Sequence, residues 1–215
     1  MFKRKDCPMK PALVAFALGA VLSAPLMAQT VATALPAPLG DLGLADVRTH
    51  LDDDGDLYVY GRLPGGGWLR AEAWNGQVHE AEVDSAALPA ALVAALLPAA
   101  AQSEPRLTAL ARITEIETDR DDISVEGYAS DGMRIEMEFD PAGRLIEYEM
   151  RRDDRPALSV DDARTRLSAL GYTDLGFIDR GGRHIEAQAR NSRGEQVWVE
   201  LDEQGQVTRE RVWLR

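Results

Sequence analysis

Three stretches of this chain repeat one pattern, and it limits what the chain can fold into. An alternating apolar–polar segment runs into a glycine turn and returns as another alternating segment. Residues 57–63, 68–74 and 77–83 form the first set. Residues 123–129, 134–140 and 144–150 form the second. Residues 182–190, 196–202 and 206 onward form the third. Alternation with a period of two is the mark of a half-buried antiparallel strand. Asn75-Gly76 is a tight hairpin signal, and Gly143 and Gly205 hold the same place in the later sets. Spacing this long implies duplicated small units and not a solenoid of short repeats.

Helical signals separate the strand sets. Residues 85–101 are almost pure Ala and Leu, with Leu88, Leu92 and Leu96 at helical spacing, Val93 beside them, Pro89 in the first turns and Pro98 at the end. This predicts a buried helix, too short and too proline-marked to span a membrane. Ser159 precedes Val160-Asp161-Asp162, a serine cap with an acid three positions on. Val160, Ala163, Leu167 and Leu170 form its apolar face, and Gly171 ends it. The expected fold class is therefore α+β, with tandem units of a helix packed on an antiparallel β-meander sheet. The expected boundaries are a diverged meander at 46–84, a helix-plus-meander unit at 85–152 and a second such unit at 157–215. The segment 29–45, interrupted by Pro36 and Pro38, reads as a linker or extended arm.

The first 28 residues read as a secretory leader. Lys3, Arg4, Lys5 and Lys10 precede an uncharged apolar run, and small residues at Ala24 and Ala28 end it. Periplasmic or secreted localisation follows, without stable membrane insertion once the leader is cleaved. Cys7 is the single cysteine and lies within that leader, so neither lipid attachment after the apolar run nor a disulfide framework is expected. The net charge of −12 repels nucleic acid and favours solubility or a basic partner.

The third set carries a family resemblance. Leu158-Ser159-Val160-Asp161-Asp162-Ala163, Leu170-Gly171-Tyr172, Val199-Glu200-Leu201-Asp202 and Gly205-Gln206-Val207 resemble a PepSY domain over about residues 157–212. Phe139-Asp140-Pro141-Ala142-Gly143 resembles its hydrophobic–Asp–x–x–Gly turn, while the first set has Trp74-Asn75-Gly76 there. The resemblance implies a module that binds or restrains a partner, as in peptidase propeptides. The tandem arrangement is similar to secreted β-lactamase-inhibitor proteins, which use a concave sheet. It supplies no catalytic residue.

The strand alternation also sorts side chains. With Leu57, Val59, Gly61 and Leu63 inward, Tyr58, Tyr60 and Arg62 face outward; with Leu69, Ala71 and Ala73 inward, Trp68, Arg70, Glu72 and Trp74 do so. Tyr58, Tyr60, Trp68 and Trp74, together with Trp198, are the candidate partner-binding residues, because such aromatics are enriched in interface hot spots. The alternative is that this face packs against a neighbouring unit. Asp52-Asp53-Asp54-Gly55-Asp56 reads as a turn: a calcium loop needs glutamate where Gly61 stands. His50, His79 and His184 lack ligand partners at short spacing, so no metal site is expected. Glu136, Glu138, Glu147 and Glu149 read as a solvated sheet face, not as an acid–base pair. No cofactor and no enzyme activity are expected. The function implied is an exported protein- or peptide-binding module, possible restraint of a peptidase included. An envelope structural or stress protein, or a hydrolase with an unrecognised site, is the alternative.

Overall fold

A computed structural model of the chain describes residues 34–152, 158–180 and 184–213. The leader read at 1–28, and the first part of the linker, lie outside the described residues. Twelve strands dominate what is described. β1 (Ala45–Leu51), β2 (Leu57–Arg62), β3 (Trp68–Trp74), β4 (Gln77–Val83), β5 (Arg112–Thr118), β6 (Ile123–Tyr128), β7 (Arg134–Phe139) and β8 (Leu145–Arg151) form one antiparallel meander in chain order. β9 (Ile178–Asp179), β10 (Ile185–Arg190), β11 (Gln196–Leu201) and β12 (Val207–Val212) form a four-stranded sheet.

The expected α+β class of tandem helix-on-sheet units is overturned. The first two strand sets do not make two units. β4 pairs with β5 and fuses them edge to edge into one eight-stranded sheet. The expected 85–101 helix is broken into α1 (Ala90–Leu96) and α2 (Ala99–Gln102), and α3 (Pro105–Thr108) follows beyond it. Proline explains both ends of α1. Pro89 caps its start, and Leu97 is extended because it precedes Pro98, which begins the next turn. These short helices cover one face of the fused sheet. Leu88, Leu92, Leu97, Ala101 and Leu107 pack there on Val59, Leu69, Ile116, Val125, Ile135 and Phe139. Leu39, read as part of a linker, is fully buried in the same core.

Side-chain capped turns recur between strands. Asp52 Oδ1 accepts the N–H groups of Asp54, Gly55 and Asp56, so that acidic run is a turn. Asp140 and Asp202 do the same before Gly143 and Gly205, which sit at φ +82° and +74°. Gly61 and Gly127 share another role. A Cβ on Gly127 would lie 2.5 Å from the Arg112 carbonyl oxygen, and one on Gly61 would touch the Leu44 side chain at 3.0 Å. At both sites a neighbouring stretch of chain passes directly over the strand.

The helix read from Ser159 is present as α4 (Val160–Ala169). Ser159 Oγ accepts the Asp162 N–H at 3.1 Å. Val160, Ala163 and Leu167 pack on Ile185, Ala187, Val197, Val199 and Leu201 of the small sheet. Leu170, expected on that face, is exposed instead, because the helix has already ended at Ala169.

Candidate interaction surface

The eight-stranded sheet has a second face, opposite the helices, and the strand registers align its side chains into rows. One row runs Tyr60, Arg70, Glu82, Glu115, Glu126, Glu136, Glu149. The next runs Tyr58, Glu72, Glu80, Glu117, Ser124, Glu138, Glu147. The aromatic end and the acidic end of these rows meet different fates.

At the aromatic end the small sheet covers the face. Tyr60 and Trp68 are only 6% and 5% exposed and pack with Phe177, while Tyr58, Trp198 and Trp213 lie half-buried around them. The Tyr60 ring meets Trp213 edge-on at 5.5 Å, a favoured aromatic geometry. The Arg48 guanidinium stacks 5.0 Å above Trp68 and pairs with Asp174 at 2.8 Å. Asp84, whose side chain is fully buried, accepts the Trp68 N–H at 2.9 Å and pairs with Arg164 of α4. The sorting of side chains by alternation holds here, but the face is occupied by the chain itself. Tyr60 and Trp68 are therefore not open to a partner, and Tyr58 and Trp198 open only at the margin. Trp74 lies beyond the contact and is 59% exposed.

The sheet–sheet contact also buries charge. Arg70 pairs with Glu80 and with Glu82 at 3.2 Å. Burial pushes the Glu82 carboxyl well above its usual range, and Asp179, Glu115 and Glu80 add to that, against the pull of Arg70. Gln188 is 0% exposed, and neither polar atom of its side-chain amide has a hydrogen-bond partner among the described residues.

Past Glu115, which shares a small cavity with Ile178 and Arg180, the rows lie open among the described residues. Glu117, Glu138, Glu147 and Glu149 are exposed, and Glu115, Glu126 and Glu136 partly so. Like charges directly opposed repel. Arg134 relieves part of this by pairing with Glu126 and, at 3.0 Å, with Glu136, and Arg151 also pairs with Glu136. Burial works against the Arg134 charge, yet Glu126 and Glu136 hold its pKa above the ordinary value. Arg151 also reaches Glu149 at 3.7 Å, while the exposed Glu117, Glu138 and Glu147 add negative charge over β5–β8. The four glutamates read from the sequence as a solvated face belong to this larger patch. Glu115, Glu117 and Glu126 were missed, since inter-strand register is not written in any one strand.

β8 ends the sheet. Among the described residues its outer edge is unpaired, and every residue after Leu145 is exposed. Tyr148 and Met150 oppose Met137 and Ile135 and so extend the helix-side apolar face, where Arg106 stacks 4.9 Å from the Tyr148 ring. A bulge at Glu138/Phe139 leaves Ile146 as the extra residue, 61% exposed. The edge thus presents carboxylates on one side, apolar groups on the other and free backbone groups between them.

No known protein-family profile matches the chain, and no curated protein does. Among solved structures, a Bacteroides vulgatus protein of the DUF2874 family, provisionally named periplasmic, is similar over 54% of this chain and 90% of its own, at 20% identity and a TM-score of 0.37. That degree of likeness assigns no function. No helix among the described residues is long and apolar enough to cross a membrane.

A second cluster escaped the sequence. Asp56, Glu72 and His79 bring one ligand atom each to within 4.8 Å of one another. His79 Nε2 lies 3.4 Å from Glu72 Oε1. Chain folding, not sequence spacing, creates this group.

Proposed function

We propose that the protein is an exported, non-enzymatic binding module that captures an extended, basic segment of a protein or peptide along β8. The observation that carries this reading is the two-sided edge. An added strand would complete the backbone ladder. Its alternate side chains would fall beside Glu147 and Glu149 on one side and beside Tyr148 and Met150 on the other. The fitting occupant therefore alternates basic and apolar residues. The chain's net charge of −12 favours its approach. Export rests on the leader pattern at 1–28, and the PepSY-like motifs of 157–212 agree with a role in restraining a partner. The charged groups with shifted protonation at the sheet contact are paired and covered, which supports a structural role for them over catalysis.

A labelled peptide of alternating Lys and Val tests this by fluorescence anisotropy. The reading expects saturable binding, weakened at least tenfold by Glu147→Lys with Glu149→Lys, and weakened by Tyr148→Pro, which removes the edge ladder. A block-ordered peptide of the same composition should bind less well. Equal binding of both peptides, or indifference to all three substitutions, would overturn it.

A further inference from the structure

The cluster at the other end of the large sheet is independent of that reading. We propose that Asp56, Glu72 and His79 form a binding site for a divalent transition-metal ion of the zinc class. The donor set is the first reason: one imidazole nitrogen and two carboxylate oxygens suit zinc and its neighbours, whereas calcium and magnesium favour oxygen alone. Proximity is the second. Ligands about 2.0 Å from a common ion at tetrahedral angles stand about 3.3 Å apart. The three donor atoms already lie within 4.8 Å, with the His79–Glu72 pair at 3.4 Å, so small side-chain rotations close the site.

The fold aims each donor. Glu72 opposes Glu80 while Ala73 opposes Val78, so His79 is the extra residue of a bulge in β4. Bulges re-aim side chains, and this one turns the imidazole toward Glu72. The Thr118 hydroxyl holds the His79 carbonyl at 2.9 Å from the neighbouring strand. Asp56 is fixed at its backbone by the Asp52 carboxylate, at 2.9 Å. Tyr58 stands directly opposite Glu72 on the neighbouring strand and walls one side of the site. Arg70, the nearby cation, is committed to Glu80 and Glu82. Glu72 lies directly opposite Glu80 on the next strand, so like charges meet beside the site. A bound cation would relieve that repulsion. All three donors are half-buried, leaving coordination positions open toward solvent for water or a partner's side chain.

Calorimetric titration of the full chain with zinc at pH 7.5 tests the site. The expectation is one saturable site, with His79→Ala, Glu72→Gln and Asp56→Asn each weakening it at least tenfold. Trp74→Ala should leave it unchanged. Absence of saturable binding would overturn the proposal. So would loss with His79→Ala alone while the two near-isosteric carboxamide variants bind normally, or loss with His50→Ala or His184→Ala in place of His79→Ala.

Discussion

Trp68 offers a sharp test of the sheet–sheet contact, because its neighbour in sequence pattern, Trp74, is its natural control. Both lie on β3 and on the same face. Trp68 is 5% exposed against Phe177 and Tyr60, with Arg48 stacked above it, whereas Trp74 is 59% exposed. Truncating a buried tryptophan costs about 3–5 kcal/mol, from lost transfer energy and the cavity left behind. The loss should sit in the upper half of that range, since the Arg48 stacking, itself about 0.5–2 kcal/mol, goes with the ring. Surface truncations usually stay within about 0.5 kcal/mol. In a chain of this size each kcal/mol moves Tm by about 2–4 °C, so Trp68→Ala should melt roughly 8–20 °C lower while Trp74→Ala moves by no more than about 2 °C. Urea unfolding followed by far-ultraviolet circular dichroism gives the free energies directly. Equal costs for the two variants, or a Trp68→Ala loss under about 1 kcal/mol, would refute the docking of the two sheets through this residue.

Other expectations follow from the same structure. Because the folded pKa of Glu82 lies above its unfolded value, the folded state binds the extra proton, and stability contributed there is present below about pH 4.5 and lost as pH rises through the raised pKa. Glu82→Gln should flatten that decline in urea unfolding measured between pH 4.5 and 8; an unchanged slope would count against the burial of this charge beside Arg70, Glu80, Glu115 and Asp179. Gly127→Ala should cost about 1–3 kcal/mol, because the new methyl meets backbone 2.5 Å away, while Gly61→Ala should cost less, its neighbour being the movable Leu44 side chain. Thermal melts of the two variants in parallel check that order. Ser159→Ala should remove about 1 kcal/mol through loss of the α4 cap, read in the same melts.

Much of the local structure was legible. Period-two alternation placed Val59 and Tyr60 on opposite faces of β2 correctly, and Ser159 announced the start of α4. The Asp–x–x–Gly turns were visible because a short acceptor side chain and a left-handed glycine act within four residues. What failed was every feature set by distant partners. Fusion of two meanders through β4 and β5 depends on the Ala/Leu segment covering both, and no strand encodes its neighbour. The outward aromatics were sorted to the right face, yet the sequence could not say that Phe177 and Trp213 would arrive to bury Tyr60 and Trp68. The acidic patch and the Asp56–Glu72–His79 group were hidden for the same reason: their members meet across strands.

The join between β4 and β5 has a mechanical meaning. Only Glu80–Glu117, Ala81–Ile116 and Glu82–Glu115 pair across it, so one apolar couple is flanked by two couples of like charge. Every other seam between neighbouring strands of the large sheet is longer. Side chains reinforce this short join: Arg70 sits against Glu80 and Glu82, and the Thr118 hydroxyl reaches across to the His79 carbonyl. Bending or pulling across the molecule should load these few backbone pairs and their side-chain braces before any longer seam.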